Sequence, residues 1–425
     1  MEKGAKLIAN IAGLLIVVFF TTILSFDAGK YPAKNRFGVL SKLVSIIGET
    51  PSAVKSMLFE LPEYLKATQE FAPPVNLLEE DIYALHTFGP TNEAKLINLR
   101  TDRVLKTWDL GEHKPYPNAR YFAQLLPDSS LFAYVHEGDW AGVISNTNEV
   151  IWERSGDLVY HHSAEVQNGK IWICARDHGY LHTYGSATLD TFFINDSKGI
   201  GVMDEVILGL DLETGVTTDS ISMLEVFAKN ELNPVYKSYY GPAHGDCFHL
   251  NDIQPVTFTD TTDGYEVGDL LISNRTQNEL LHLRPSTLEI LHSFSEGLSS
   301  QHDVDILGDS AIICFNNHSP SLFELQFNVE NDQHEGIYSE VAAFDLSGNR
   351  KTELGISNQM TAEKVYTSTE GLQEFLGDGY VAIEEQNEFN VYIFKDDALV
   401  YKNALNYFGK TEYVEIPNWT RFYRP

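Results

Sequence analysis

Three histidines, His162, His249 and His302, head three similar segments of the chain: His162-Ser163-Ala164-Glu165-Val166, His249-Leu250-Asn251-Asp252-Ile253 and His302-Asp303-Val304-Asp305-Ile306. Each segment is followed by a turn and a second apolar run that ends in polar residues, at Ala175-Arg176, Asn274-Arg275 and Asn316-Asn317. Imidazole is a nucleophile, a proton carrier and a metal ligand, so its placement decides what it does. A lone histidine in a chain that has 14 is ordinarily a satisfied core or surface residue. Three at one repeat position point to a functional centre. Two chemistries suit them. Three imidazoles hold zinc or copper with an open position, or they surround an anionic group in transfer. A cation beside a metal site is uncommon, so Arg275 favours transfer.

The elements that must position these residues recur as well. Two or three apolar residues, a polar step, a turn rich in Thr, Ser, Asp or Gly, and a second alternating run appear at Ile97–Leu105, Val143–Ile151, Leu208–Val216, Leu281–Ile290, Ala343–Arg350 and Ile393–Val400. Each reads as an outer β-hairpin, and the irregular spacing suits four-stranded blades with insertions. Six such units predict an all-β, six-bladed β-propeller over residues 81–425, closed into a ring that leaves no long exposed edge. Equivalent positions are then related by rotation about the axis, which places the three histidines around one channel. Gly371 takes the histidine's place in the final blade, and Tyr121 takes it in the blade before His162.

Composition narrows the partners. The chain has 425 residues, 60 acidic against 30 basic, for a formal charge of −30. That balance excludes nucleic acid, which requires clustered Lys and Arg. Three cysteines, Cys174, Cys247 and Cys314, are too few for a disulfide scaffold and read as buried strand residues. Leu7 to Phe26 carries no charge and is long enough to span a membrane, with Lys3 and Lys6 ahead of it. We expect residues 1–30 to form an uncleaved anchor with a cytoplasmic N-terminus. The body then lies on the exported side, periplasmic or extracellular; a cleaved signal peptide is the competing reading. Residues 31–80 show short amphipathic helical patterns, around Phe37–Val44 and Pro51–Tyr64, suited to a membrane surface, a spacer or a membrane-protein partner.

The motifs His161-His162 with Asn168-Gly169, His249 and Asn251 with Ser273-Asn274-Arg275, and Gln301-His302-Asp303 with Asn316-Asn317 resemble, in order and spacing, those of the arylsulfate sulfotransferase family. The resemblance implies a six-bladed propeller that moves a sulfuryl group from an aryl sulfate to a hydroxyl acceptor through a sulfohistidine. Neither phosphoadenosine phosphosulfate nor another cofactor takes part. By position His302 is the nucleophile, His249, Asn251, Arg275 and His162 surround the group in flight, and His161 and Asn317 contact substrate. Asp303 or Asp305 would orient His302, and His249 or His162 would protonate the leaving phenoxide. Tyr180 and Tyr184, in an insertion from Asp177 to Gly201, would stack on the aryl ring. Two departures stand out: Ser163 replaces the usual acidic residue, and an anchor with short helices replaces the large N-terminal domain of secreted relatives. The runner-up is a non-catalytic propeller serving as a subunit of a membrane complex.

Overall fold

The computed structural model describes residues 65–67 and 73–425, apart from 89–90, 112–119, 157, 184–200, 234–245, 309, 320–336, 352–353, 387–388, 405–412 and 416–418. The chain divides into two compact units, Met1–Lys66 and Ala67–Pro425. Nearly all of the first lies outside the described residues, and with it the expected span at residues 7–26 and the helices expected between 31 and 64. Among the described residues no helix is long and apolar enough to cross a membrane.

The second unit is a six-bladed β-propeller. Blade 1 joins the chain's two ends: Arg421–Tyr423 is its innermost strand, followed outward by Tyr83–Phe88, Glu93–Asn98 and Arg103–Asp109. Blade 2 runs Arg120–Leu125, Leu131–His136, Ala141–Ile144 and Val150–Arg154. Blade 3 is Leu158–Gln167, Lys170–Thr183, Gly201–Asp211 and Thr217–Ser222. Blade 4 is Leu250–Pro255, Leu270–Asn274, Glu279–Arg284 and Glu289–Phe294. Blade 5 has three described strands, His302–Leu307, Ala311–Asn316 and Glu340–Asp345. Blade 6 has Leu372–Gly377 innermost, then Tyr380–Glu385, Asn390–Lys395, Ala398–Ala404 and finally Val75–Asn76. That outermost pair of residues bonds to Tyr401 and Lys402, so the sheet structure begins upstream of residue 81. All six hairpins read from the sequence are the outer part of a blade. Tying Arg421–Tyr423 to Tyr83–Leu85 closes the ring with main-chain bonds and removes an edge that would otherwise template aggregation.

Local chemistry explains the strand pairing. In blade 3 Gln167 faces Lys170 across the two-residue loop Asn168-Gly169, and both loop residues have positive φ, 51° and 75°. That is the geometry of the Asn-Gly hairpin turn, whose twist matches the strands it joins. Between blades the sheet faces bury large side chains, among them Trp108, Phe132, Tyr134, Phe248 and Tyr392. The three cysteines are free, buried thiols in these layers.

The innermost strands are irregular where the histidines sit. Pairing slips between Tyr160 and Ala164 in blade 3, between Leu250 and Asp252 in blade 4 and between His302 and Val304 in blade 5. His162 and His249 both adopt φ 52°, whereas in blade 5 the left-handed residue is Asp303, one position after the histidine. The left-handed residue is thus the histidine itself in blades 3 and 4 and its successor in blade 5. A bulge re-aims a side chain at the rim of a closed sheet. Gly371 holds the corresponding bend in blade 6 at φ 107°, and a Cβ there would meet the Phe315 ring at 2.5 Å. Gly371→Ala should destabilise the protein by about 1–3 kcal/mol, read as a lower denaturation midpoint at unchanged m-value. An unchanged midpoint would contradict the steric account.

Candidate active site

The bulges bring His162, His249 and His302 into one cluster at the axial ends of blades 3, 4 and 5. The ring centroids of His162 and His249 are 4.9 Å apart and those of His162 and His302 5.8 Å, with Trp419 at 6.5 Å from His162. His136 and His161 stand behind, at 5.3 and 5.2 Å from His162.

His302 is 1% exposed. Its Nδ1 lies 2.9 Å from the Ser300 carbonyl oxygen and 2.7 Å from Asn317 Oδ1. The Asn317 amide is fixed the right way round, because its Nδ2 donates to the carbonyls of Thr367 at 2.9 Å and Glu370 at 2.5 Å. With two acceptors on Nδ1, the proton must reside there and Nε2 carries the lone pair. The Glu370 backbone N–H donates to Nε2 at 3.1 Å. Burial pushes the His302 imidazole well below the usual histidine range, and the Arg275 guanidinium pushes it further. The ring is neutral and the nitrogen that carries its lone pair is defined.

His249 and His162 share a short contact, Nε2 to Nε2 at 2.9 Å. Nδ1 of His249 is held by Asp246 Oδ2 at 2.7 Å. Burial raises the Asp246 carboxyl, but the neighbouring His249 outweighs it and holds the group at about 2. Burial, then His249 and the other rings, pushes His162 well below the ordinary value, so it is a neutral imidazole and not the cationic donor expected from the sequence. Of the neighbouring charges, the Arg275 guanidinium has the largest effect on His302.

Asn251 lies at the same end of blade 4, fully buried, and its Nδ2 donates to the Gln301 carbonyl at 2.7 Å. His161 is also fully buried, and its Nε2 turns away to Glu205 Oε2 at 2.5 Å. Burial lowers this histidine to about 4 and raises Glu205 well above the carboxylate range. Asn317 points at His302, as a positioning group. Tyr180 falls within the strand Lys170–Thr183, and Tyr184 lies outside the described residues. The expected orienting role of Asp303 and Asp305 is corrected: Asp303 accepts from the Gln373 backbone at 2.7 Å and Asp305 from Gln373 Nε2 at 3.3 Å, both away from the His302 ring. Ser163 has a structural use, its Oγ accepting the Ile253 N–H of the next blade at 3.2 Å in a fully buried position.

Sequence reasoning missed Asp246, Glu205, Glu370 and a ring of polar residues deeper in the channel. The ring had a visible mark. Three positions after Tyr121, His162, His249, His302 and Gly371 stand Gln124, Glu165, Asp252, Asp305 and Glu374, and the sixth inner strand contributes Arg421. Arg421 bonds Glu165, which also meets Gln124 Nε2 at 3.5 Å. Among the described residues no group of three or more His, Cys, Asp or Glu has an arrangement that would hold a metal ion.

Among solved structures the chain is similar to a protein of unknown function from Bacteroides caccae, with TM-score 0.47 and 10% identity over 76% of this chain and 93% of that one. It is also similar to BamB from Moraxella catarrhalis, with TM-score 0.34 and 12% identity over 78% and 75%. The WD40 β-propeller domain of Doa1 gives 0.41 and 8% over 82% and 90%. At these scores the blade count rests on the chain's own sheets. No curated protein matches the sequence. A family model described as arylsulfotransferase (ASST) matches residues 123–401, from the innermost strand of blade 2 to the fourth strand of blade 6, across all three histidines. With well over half of its length matched, the chain belongs to the arylsulfotransferase family.

Proposed function

We propose that the protein transfers a sulfuryl group from an aryl sulfate to a phenolic or other hydroxyl acceptor by way of a sulfohistidine on His302, without phosphoadenosine phosphosulfate. The observation that carries the reading is the tautomer of His302, protonated on Nδ1 and presenting the Nε2 lone pair beside Arg275.

In the first half-reaction Nε2 attacks sulfur and the sulfur–oxygen bond to the aryl group breaks. Positive charge develops on the ring, and the Nδ1–H answers it by strengthening its bonds to Ser300 and Asn317. Negative charge spreads over three sulfuryl oxygens, which Arg275 is suited to neutralise through its planar fork. The Glu370 N–H, at Nε2 in the resting site, is free to turn to a sulfuryl oxygen once the nitrogen is substituted. In the second half-reaction an acceptor oxygen attacks sulfur and His302 leaves. Asp246 fixes His249, and the His249–His162 contact keeps both rings at the edge of the group in flight. Tyr180 and Tyr184 are proposed to stack on the aryl ring.

Residues 7–26 are proposed to anchor the propeller to a membrane, with the body on the exported side and residues 31–80 available to a membrane-protein partner. The test is intact-mass spectrometry of the full chain after brief exposure to a chromogenic aryl sulfate without acceptor. An acid-labile gain of about 80 Da, lost when a phenol is added, is expected for a sulfurylated nucleophile. No adduct and no phenol release over a panel of donors would leave the non-catalytic propeller as the better account.

A further inference from the structure

Among the described residues, Glu370 is the one carboxylic acid whose backbone N–H donates to Nε2 of His302. Its N–H donates to His302 Nε2 at 3.1 Å and its carbonyl accepts from Asn317 Nδ2 at 2.5 Å. The residue sits in the left-handed region at φ 61° and is followed by Gly371 at φ 107°, a local kink that turns the chain toward the cluster. Its side chain is 14% exposed, and Oε1 lies 3.9 Å from Arg120 Nη1. The charged and titratable groups facing it are Arg120 and Glu137 of blade 2, Arg275 of blade 4, His302 of blade 5 and Glu384 of blade 6. The transfer described above uses the backbone N–H of Glu370, and its buried carboxyl has no part in it.

We propose that Glu370 is the general acid and base of the transfer, giving its proton to the departing phenoxide and taking one from the acceptor hydroxyl. This rests on the reading of His302 as nucleophile. In the first half-reaction the Nε2–S bond forms, the S–O(aryl) bond breaks, and the Glu370 proton goes to the aryl oxygen, so phenol leaves and the carboxylate remains. In the second, the carboxylate takes the acceptor's proton as its oxygen bonds to sulfur, and the Nε2–S electron pair returns to His302. Both groups end as they began, and no outside reagent is needed. Burial raises the carboxyl to about 6 against the pull of Arg120 and then Arg275, which suits a group that must both give and take a proton near neutrality. Of the two histidines expected as donors, His162 is held neutral by its surroundings, and His249 is engaged at Nδ1 by Asp246 and at Nε2 by His162.

The test compares donors whose phenols differ in acidity. Glu370→Gln should lower kcat/KM for phenyl sulfate and 4-methylphenyl sulfate about 100- to 10,000-fold. It should lower it less than about tenfold for 4-nitrophenyl sulfate, whose phenolate departs unaided. Glu370→Asp should recover part of the loss, and thermal melts of the three proteins should agree. A second arm needs no variant: in the wild type the pH profile for phenyl sulfate should fall as the carboxyl ionises, and that for 4-nitrophenyl sulfate should not. Equal losses for all donors, or parallel pH profiles, overturn the proposal and leave Glu370 as a positioning residue. A wild-type protein with neither adduct nor turnover overturns the His302 reading, and this one with it.

Discussion

His302→Ala is expected to lower kcat for aryl sulfate turnover by about 10,000-fold or more, the scale seen when a covalent nucleophile is removed. The mass adduct should vanish with it. The size of the effect follows from the geometry, in which the other imidazoles of the cluster are held differently. His249 spends Nδ1 on Asp246 and Nε2 on His162, and His161 spends Nε2 on Glu205. Only His302 combines a fixed Nδ1–H with a lone pair beside Arg275. The substitution also leaves buried groups without their partner, namely Asn317 Oδ1, the Ser300 carbonyl and the Glu370 N–H. That loss costs stability of about 1–3 kcal/mol. The measurement is therefore steady-state turnover alongside a thermal melt, with His302→Gln as a second variant that refills much of the volume. Turnover within tenfold of wild type in a folded variant would remove His302 from the chemistry.

How much of this was legible in the sequence depends on the length scale of the signal. Six hairpins such as Leu208–Val216 carry period-two alternation and turn residues within ten positions, so blade number followed from local pattern alone. The histidine repeat was legible for the same reason, since each histidine lies three residues ahead of a polar position of the innermost strand: Glu165, Asp252 and Asp305. What failed to show was everything set by the bulges. Val304 was aligned with Asn251 by counting from the histidine, yet the slip in pairing falls after His302 in blade 5 and after Leu250 in blade 4. Asp303 and Asp305, close in sequence to His302, point elsewhere, while Asn317 and Glu370, from the next strand and the next blade, hold its two nitrogens. The charge of His162 was misjudged because burial is a property of the closed ring and not of any segment. The ring below the histidines was visible as a fixed offset of three, and its meaning depended on Arg421, which only closure of the two chain ends brings in.

Arg421→Met is expected to destabilise the protein by about 3–5 kcal/mol near pH 8, and by clearly less near pH 5. Arg421 pairs with Glu165 at side-chain exposures of 11% and 14%, and Glu374 and Asp303 lie within its field. Around it burial raises Asp305 to about 7, with Glu165 adding to the rise, and raises Glu374 to about 7, against the pull of Arg421. Asp252 and Asp303 are raised well above the carboxylate range, again by burial first and then by neighbouring carboxylates. A carboxyl whose value is raised on folding holds a proton that the unfolded chain has already lost between about pH 4 and pH 7. Its stabilising share is present below the unfolded value and is lost as pH rises through the folded one. The wild type should therefore melt at a higher temperature at pH 5 than at pH 8. Removing the one cation should widen that gap, because at pH 8 the ionised ring has nothing left to oppose it and at pH 5 protonation has already removed most of its charge. Denaturant melts of both proteins at the two pH values decide it. A variant whose penalty is as large at pH 5 as at pH 8 would mean that Arg421 acts by packing against its neighbours, and that the channel ring carries little charge in the folded state.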